Sequence, residues 1–207
     1  MLEPLAILAA LAAYGAVHSL MASFDVKRWV RARLGPVADR VYRLAYNAFA
    51  VASFLPVLAL LARLPGDLLY QLRLPWSALA ILGQGVALAL LAIGLLQADP
   101  WTFLGLRQLM DHGPSEPPSL TATGLYRWVR HPLYTAGLLF IWLTPVMTTS
   151  VLALNLALSA YILIGSRLEE RRLGIEFGQA YADYRARVPS LIPHLVRYHA
   201  QRDCGQH

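Results

Sequence analysis

The 207 residues are 57% hydrophobic and only 14% charged, with a mean hydropathy of +0.47, which excludes an ordinary water-soluble domain, where about a quarter of residues are charged. The net charge of +6 clusters beside apolar segments, so it points to a membrane surface and not to nucleic acid. A single cysteine, Cys204, in a polar tail excludes a disulfide framework and a cysteine-rich metal site.

In chain order, a first span is predicted from about Pro4 to Ala22. It lacks a basic n-region and is too long for an h-region, so it reads as a retained span and not a signal peptide. Residues 24–34 mix Phe24, Val26, Trp29, Val30 and Leu34 with basic residues. They predict a short interfacial helix with its cations toward anionic lipid, a solvated basic loop being the alternative. A second span is predicted from about Tyr42 to Ala62 and a third from about Trp76 to Gln97, since roughly 20 apolar residues cross a core of about 30 Å. Residues 98–123 are rich in Pro, Gly and Ser, with Gly113-Pro114-Ser115-Glu116-Pro117-Pro118, and predict a loop. A loop of this length is more often functional or disordered than a plain connector.

Residues 133–168 contain one charge, Arg167. They predict a hairpin of two further spans, turning near Met147-Thr148-Thr149-Ser150 after Thr144-Pro145. Pro132 suits the first turn of the fourth span, where a missing N–H costs nothing. Residues 169–186 predict a helix that emerges from span five into water, ended by Val188-Pro189 and Ile192-Pro193. Cys204-Gly-Gln-His makes a poor prenylation box, because its middle residues are not aliphatic.

The expected fold is an all-α integral membrane protein of about five transmembrane helices with a cytosolic C-terminal helix. It forms one membrane domain over residues 1–207. Residues 1–97 hold three spans; residues 98–207 hold the loop, the helical hairpin and the C-terminal helix. All but two of the 18 Lys and Arg residues fall on one side of this arrangement, the exceptions being Arg63 and Arg73. That places the N-terminus outside and the C-terminus in the cytoplasm, as in a bacterial inner membrane. An even number of spans would split the basic segments between faces.

The chemistry gathers at the mouth of the hairpin. Arg130 and His131 lie beside the N-terminus of the fourth span, where free N–H groups attract anions. Glu169 and Glu170 close the fifth span near the same face. Cations on one wall and carboxylates on the other suit a zwitterionic, partly cationic ligand. The structural alternatives are snorkelling of Arg130 and His131 at the interface and an i,i+3 pair of Glu169 with Arg172. His18, near the end of the first span, allows an interhelical hydrogen bond or an acceptor-side polar patch with Ser19, Tyr46 and Asn47. His112, His194, His199 and His207 show no ligand spacing, and no metal is expected.

The segment Gly124-Leu125-Tyr126-Arg127-Trp128-Val129-Arg130-His131-Pro132-Leu133-Tyr134-Thr135-Ala136-Gly137 resembles the Y-x-x-x-R-H-P-x-Y-x-G signature of the isoprenylcysteine carboxyl methyltransferase and phospholipid methyltransferase superfamily. Arg167-Leu168-Glu169-Glu170-Arg171-Arg172-Leu173, then Phe177-Gly178-Gln179-Ala180-Tyr181-Ala182-Asp183-Tyr184, is similar to that superfamily's tail. The match covers about residues 120–194. His18-Ser19-Leu20-Met21-Ala22-Ser23 and Tyr42-Arg43-Leu44-Ala45-Tyr46-Asn47 resemble the NnrU-type branch and the membrane methanethiol S-methyltransferases. Phe103-Leu104-Gly105-Leu106-Arg107-Gln108 is similar to a segment of the methanethiol group.

The resemblance implies a membrane-embedded methyltransferase that uses S-adenosylmethionine. The acceptor it implies is a small or lipophilic thiol, methanethiol-like or isoprenylcysteine-like, reached from the bilayer. Carried over by position, Gly124, Tyr126, His131, Tyr134, Gly137, Glu169 and Glu170 are the cofactor-binding residues. Arg130, Arg172 and Tyr184 are the catalytic candidates. His18, Tyr46, Asn47, Gln108 and Tyr181 are the acceptor-side candidates. The alternative is an NnrU-type accessory protein without enzymatic activity, or one that binds haem through His18, because carotene isomerases of that branch bind haem. The sequence carries no signal for oligomeric state.

Overall fold

A computed structural model describes residues 2–110 and 120–193, except for the side chains of Asp39, Phe103, Gln108 and Met110. The stretch 113–118, the Gln108 side chain, His112, His194, His199, His207 and Cys204 lie outside the described residues.

Among the described residues, four helices are long and apolar enough to cross a membrane: α1 (Leu2–Ala22), α3 (Pro36–Arg63, its apolar part from Arg40), α4 (Trp76–Gln97) and α8 (Thr149–Phe177). Their local signals are plain. Pro36 sits in the first turn of α3, and the Thr148 hydroxyl caps α8 by accepting from Val151 N at 3.2 Å. The predicted interfacial segment is helical, as α2 (Phe24–Leu34), capped by Ser23. The fold is therefore an α-helical integral membrane protein.

The fourth predicted span is shorter than expected. Helix α7 (Pro132–Trp142) has 11 residues, about 16 Å at 1.5 Å per residue, or roughly half a hydrocarbon core. Pro145 disfavours helix at the residue before it. Beyond it the chain extends into a strand, β2 (Val146–Thr148), that pairs antiparallel with β1 (Leu68–Gln71). This two-stranded ribbon satisfies backbone groups that an unpaired turn at this depth would leave exposed. Neither segment alternates apolar and polar residues, so nothing in the local pattern announces it.

Helix α8 bears out the predicted helix that emerges from the fifth span. Its 29 residues extend about 44 Å, so the predicted C-terminal helix is partly a continuation of the fifth span. The break comes at Gly178, whose φ of +53° favours glycine, and α9 (Gln179–Arg187) follows. The predicted loop after α4 also holds two short helices, α5 (Pro100–Leu104) and α6 (Leu106–Met110). Asp99 caps α5, its carboxylate accepting from Thr102 N at 3.4 Å and Thr102 Oγ1 at 2.9 Å.

Packing fixes the order of the bundle. Ile7 and Leu11 of α1, Val57 of α3 and Leu154 of α8 form the buried core. With Ile7 level with Leu154, and Gly15 against the Tyr161 ring at 3.3 Å, α1 and α8 run parallel. Val57, Phe54 and Tyr46 descend along α1 in the reverse sense, so α3 is antiparallel. Gly83 faces Leu143 and Gly94 faces Leu133, which makes α4 and α7 antiparallel. The ends of α1, α3, α4, α7 and α8 that carry the basic segments thus share one face, called the basic face below. The ribbon closes the opposite face.

Candidate active site

At the basic face, the site is built around Glu170. Its Oε1 accepts from Arg130 Nε at 3.0 Å and Nη2 at 2.5 Å, from His131 Nε2 at 3.2 Å and from Ser190 Oγ at 3.2 Å. The Arg130 and Glu170 side chains are only 9% and 11% exposed. Arg130 donates further to the carbonyls of Val188 and Arg185. Two backbone bonds complete the closure: Arg130 N donates to Pro189 O at 2.8 Å, and His131 N to Ser190 O at 3.1 Å. The two N–H groups that precede the first turn of α7 are therefore occupied by the carbonyls of residues 189 and 190. The predicted opposing walls of cation and carboxylate meet in one knot.

Glu169 sits differently. Its Oε2 accepts from the Tyr134 hydroxyl at 2.8 Å, and His131 Nδ1 lies 3.8 Å away. Its side chain is 39% exposed. The His131 and Tyr134 rings stack at 5.4 Å. Tyr126, in the 3-10 turn Gly124–Arg127, has its hydroxyl pKa raised by burial and by the Glu169 carboxylate. His131, Tyr134 and Tyr126 thus gather around the Glu169 carboxylate.

The remaining residues of the tail buttress the knot. Tyr184 is buried and donates to Tyr126 O at 2.6 Å; burial pushes its pKa up to about 12. Tyr181 is buried beside Arg130, its pKa raised by burial and by Glu170. Two recesses border Glu170 on its outer side. One, of about 520 Å³, includes Gly178, Tyr181 and Arg185; the other, of about 470 Å³, includes Arg130, Ser166 and Ser190.

Gly124 has φ +59°, and a Cβ there would lie 2.4 Å from the Gln97 amide. That close approach lets Gln97 Oε1 accept from Leu125 N at 2.8 Å. Gly124 therefore positions the turn. Gly137 lies on α7, and a Cβ placed there would meet nothing within 4 Å.

Arg172 does not join the knot. Lys27 has its pKa lowered by burial and by the Arg172 and Arg43 cations, so Arg172 stands on the α2–α3 side. Asn47 donates to Leu104 O at 3.2 Å, and Arg43 to Thr102 O at 2.7 Å. These bonds lash the segment after α4 onto α3. Gly105, φ +88°, approaches Leu44 N so closely that a Cβ would lie 2.7 Å from it.

His18 and Tyr46 do come together, with a residue that sequence reasoning missed. His18 Nε2 lies 2.7 Å from the Tyr46 hydroxyl, and His18 Nδ1 lies 2.8 Å from that of Tyr161. Tyr14 stacks on His18 at 5.5 Å. A tyrosine inside a span without charges was the available signal. Gln97, Ser190 and Thr135, whose hydroxyl donates to Leu191 O at 2.7 Å, were also missed. Gln97 and Thr135 act through backbone partners, and Ser190 through Glu170 and the His131 N–H, pairings that spacing does not reveal.

The description "NnrU protein" fits residues 6–196. A methanethiol S-methyltransferase of a Pseudomonas species is 32% identical over 87% of this chain and 69% of its own length. That of Pseudomonas deceptionensis is 33% identical over 90% of this chain and 71% of its own. Nurim of Bos taurus is 29% identical over 75% of this chain and 62% of its own. No solved structure matches.

Proposed function

The chain belongs to the NnrU protein family, and on that premise we propose that it is a membrane methyltransferase that transfers the methyl group of S-adenosylmethionine to a small or lipophilic thiol. Relatives named methanethiol S-methyltransferase support the reaction class. The observation that carries the reading is the half-exposed Glu169 carboxylate, held by Tyr134 beside a buried Arg130–Glu170 knot.

The residues present suit the cofactor. It is a sulfonium with an ammonium, a carboxylate, a ribose and a flat base. Glu170 Oε1 is already filled by its donors, so Glu169 is the carboxylate assigned to the ribose or the ammonium. Tyr126 and Tyr134 offer ring faces to a sulfonium, an attraction of about 0.5–2 kcal/mol. When bound, the cofactor supplies an activated methyl group. The chain's own work is to fix Glu169, orient the acceptor and exclude water. Arg130 and Tyr184 hold α9 and residues 188–190 over the site, and are positioning residues. The basic face is the cytosolic one by the positive-inside rule.

An axial haem role for His18 has less support, because both ring nitrogens already meet tyrosine hydroxyls. Calorimetry with S-adenosylmethionine on purified protein in lipid nanodiscs tests the proposal. The unmutated protein binds, and Glu169→Gln weakens binding by about tenfold, the loss of a charged hydrogen bond. A folded protein that takes up no S-adenosylmethionine refutes it.

A further inference from the structure

Resting on the methyltransferase reading above, we propose that Tyr161 and His18 form a proton relay for the acceptor thiol, and that the thiol sits in the gap beside Gly165. Ionisable and polar groups among apolar helices are costly and mark function by default. A single hydrogen bond would suffice to join two helices. Here three helices converge on both nitrogens of one imidazole.

The relay requires one of the two His18 tautomers. A neutral imidazole donates from one nitrogen and accepts at the other. In the tautomer it requires, Nε2–H donates to the Tyr46 oxygen, which lies 2.7 Å from Nε2 and 3.1 Å from Nδ1, and the Nδ1 lone pair receives the Tyr161 hydroxyl proton. Gly15 lets the Tyr161 ring lie along α1 at 3.3 Å, and the hydroxyl then reaches His18 and Ser19, 2.8 and 3.4 Å away. Those residues lie farther along α1, so the hydroxyl is directed toward the basic face.

One turn beyond Tyr161 on α8 is Gly165, and one turn further is Glu169. A Cβ at Gly165 would meet nothing within 4 Å. The bonds Tyr134–Glu169 and Trp142–Ser159 set the register of α7 against α8. That register places Gly137 at the depth of Gly165, and Gly137 also faces open space. Each glycine thus leaves open space beside its helix, at a depth between the relay and the Glu169 carboxylate. Such a gap, bare of side chains and open toward the apolar surface, takes a small apolar thiol.

The step balances. The acceptor S–H bond breaks and its electron pair stays on sulfur. The proton passes to the Tyr161 oxygen as the Tyr161 proton moves to His18 Nδ1. The resulting thiolate is the nucleophile, and His18 returns the proton to water after the product leaves.

The test uses nanodisc-embedded protein and methanethiol. Without cofactor, the unmutated protein shows ultraviolet thiolate absorbance at neutral pH, and Tyr161→Phe and His18→Gln abolish it. Both variants bind S-adenosylmethionine unchanged. Their turnover falls about 100-fold, the usual worth of a positioned base, and the double variant is no slower than either single one. Their residual rate climbs with pH, whereas the unmutated rate is level. Gly165→Leu raises the KM for methanethiol alone. Unchanged pH profiles in both variants overturn the relay, and an unchanged KM in Gly165→Leu gives the gap to lipid and overturns the acceptor site. Failure of the unmutated protein to bind S-adenosylmethionine sinks the methyltransferase reading, and the cofactor-free thiolate signal then decides the relay by itself.

Discussion

Replacing Arg130 by Met leaves the Glu170 carboxylate buried with His131 and Ser190 as its remaining close donors. In the folded protein Glu170 Oε1 has bonds at 2.5, 3.0, 3.2 and 3.2 Å, two of them from Arg130. With both side chains near one-tenth exposed, water takes over the lost donors poorly, reaching Glu170 only from the bordering recesses. Breaking a buried ion pair on one side costs about 3–5 kcal/mol, whereas replacing both partners by apolar groups is often neutral. Arg130→Met is therefore expected to lose about 3–5 kcal/mol. Arg130→Met with Glu170→Met regains most of that loss, less the carbonyl bonds to residues 185 and 188. Reversible unfolding in mild detergent measures both. A second readout is protease access to residues 188–193, which rises in the single variant and falls back in the double one. A single-variant loss under about 1 kcal/mol, the range of an exposed pair, would refute the claim that the knot holds residues 188–191 in place.

Tyr184→Phe removes the bond to Tyr126 O and costs about 1 kcal/mol, read by the same unfolding assay. The Tyr184 pKa is raised by burial to about 12, so its contribution is complete below the unfolded value near 10. It is lost as pH rises through about 12, and stability that stays level across that window contradicts it. Gly124→Ala forces a side chain into positive φ and against Gln97, costing about 1–2 kcal/mol; adding Gln97→Ala restores the part due to the clash. A reporter fused after His207 reads cytoplasmic; a periplasmic signal reverses the assigned faces.

The apolar runs of α1, α3, α4 and α8 were legible because composition alone drives them into lipid. So were Arg130, His131, Glu169 and Glu170, whose placement at span ends needs only charge counting. What stayed hidden depended on partners distant in the chain. The shortness of α7 follows from pairing of residues 146–148 with 68–71, which depends on a segment more than seventy residues away. Arg172 lies three residues from Glu169 in sequence, yet its charge acts on Lys27, because the fold brings α2 to that side of α8. Tyr161 reads as an apolar-span aromatic until α1 brings His18 to it.

The bonds from Arg130 N to Pro189 O and from His131 N to Ser190 O join chain segments made far apart in time. During synthesis, α7 enters the membrane with Arg130 and His131 unpaired. Glu170 arrives a hairpin later, and the carbonyls of residues 188–190 later still. The charged mouth is thus assembled only once the chain has passed Ser190. A chain released before that point keeps every span but leaves the N–H groups of Arg130 and His131 without their carbonyl partners.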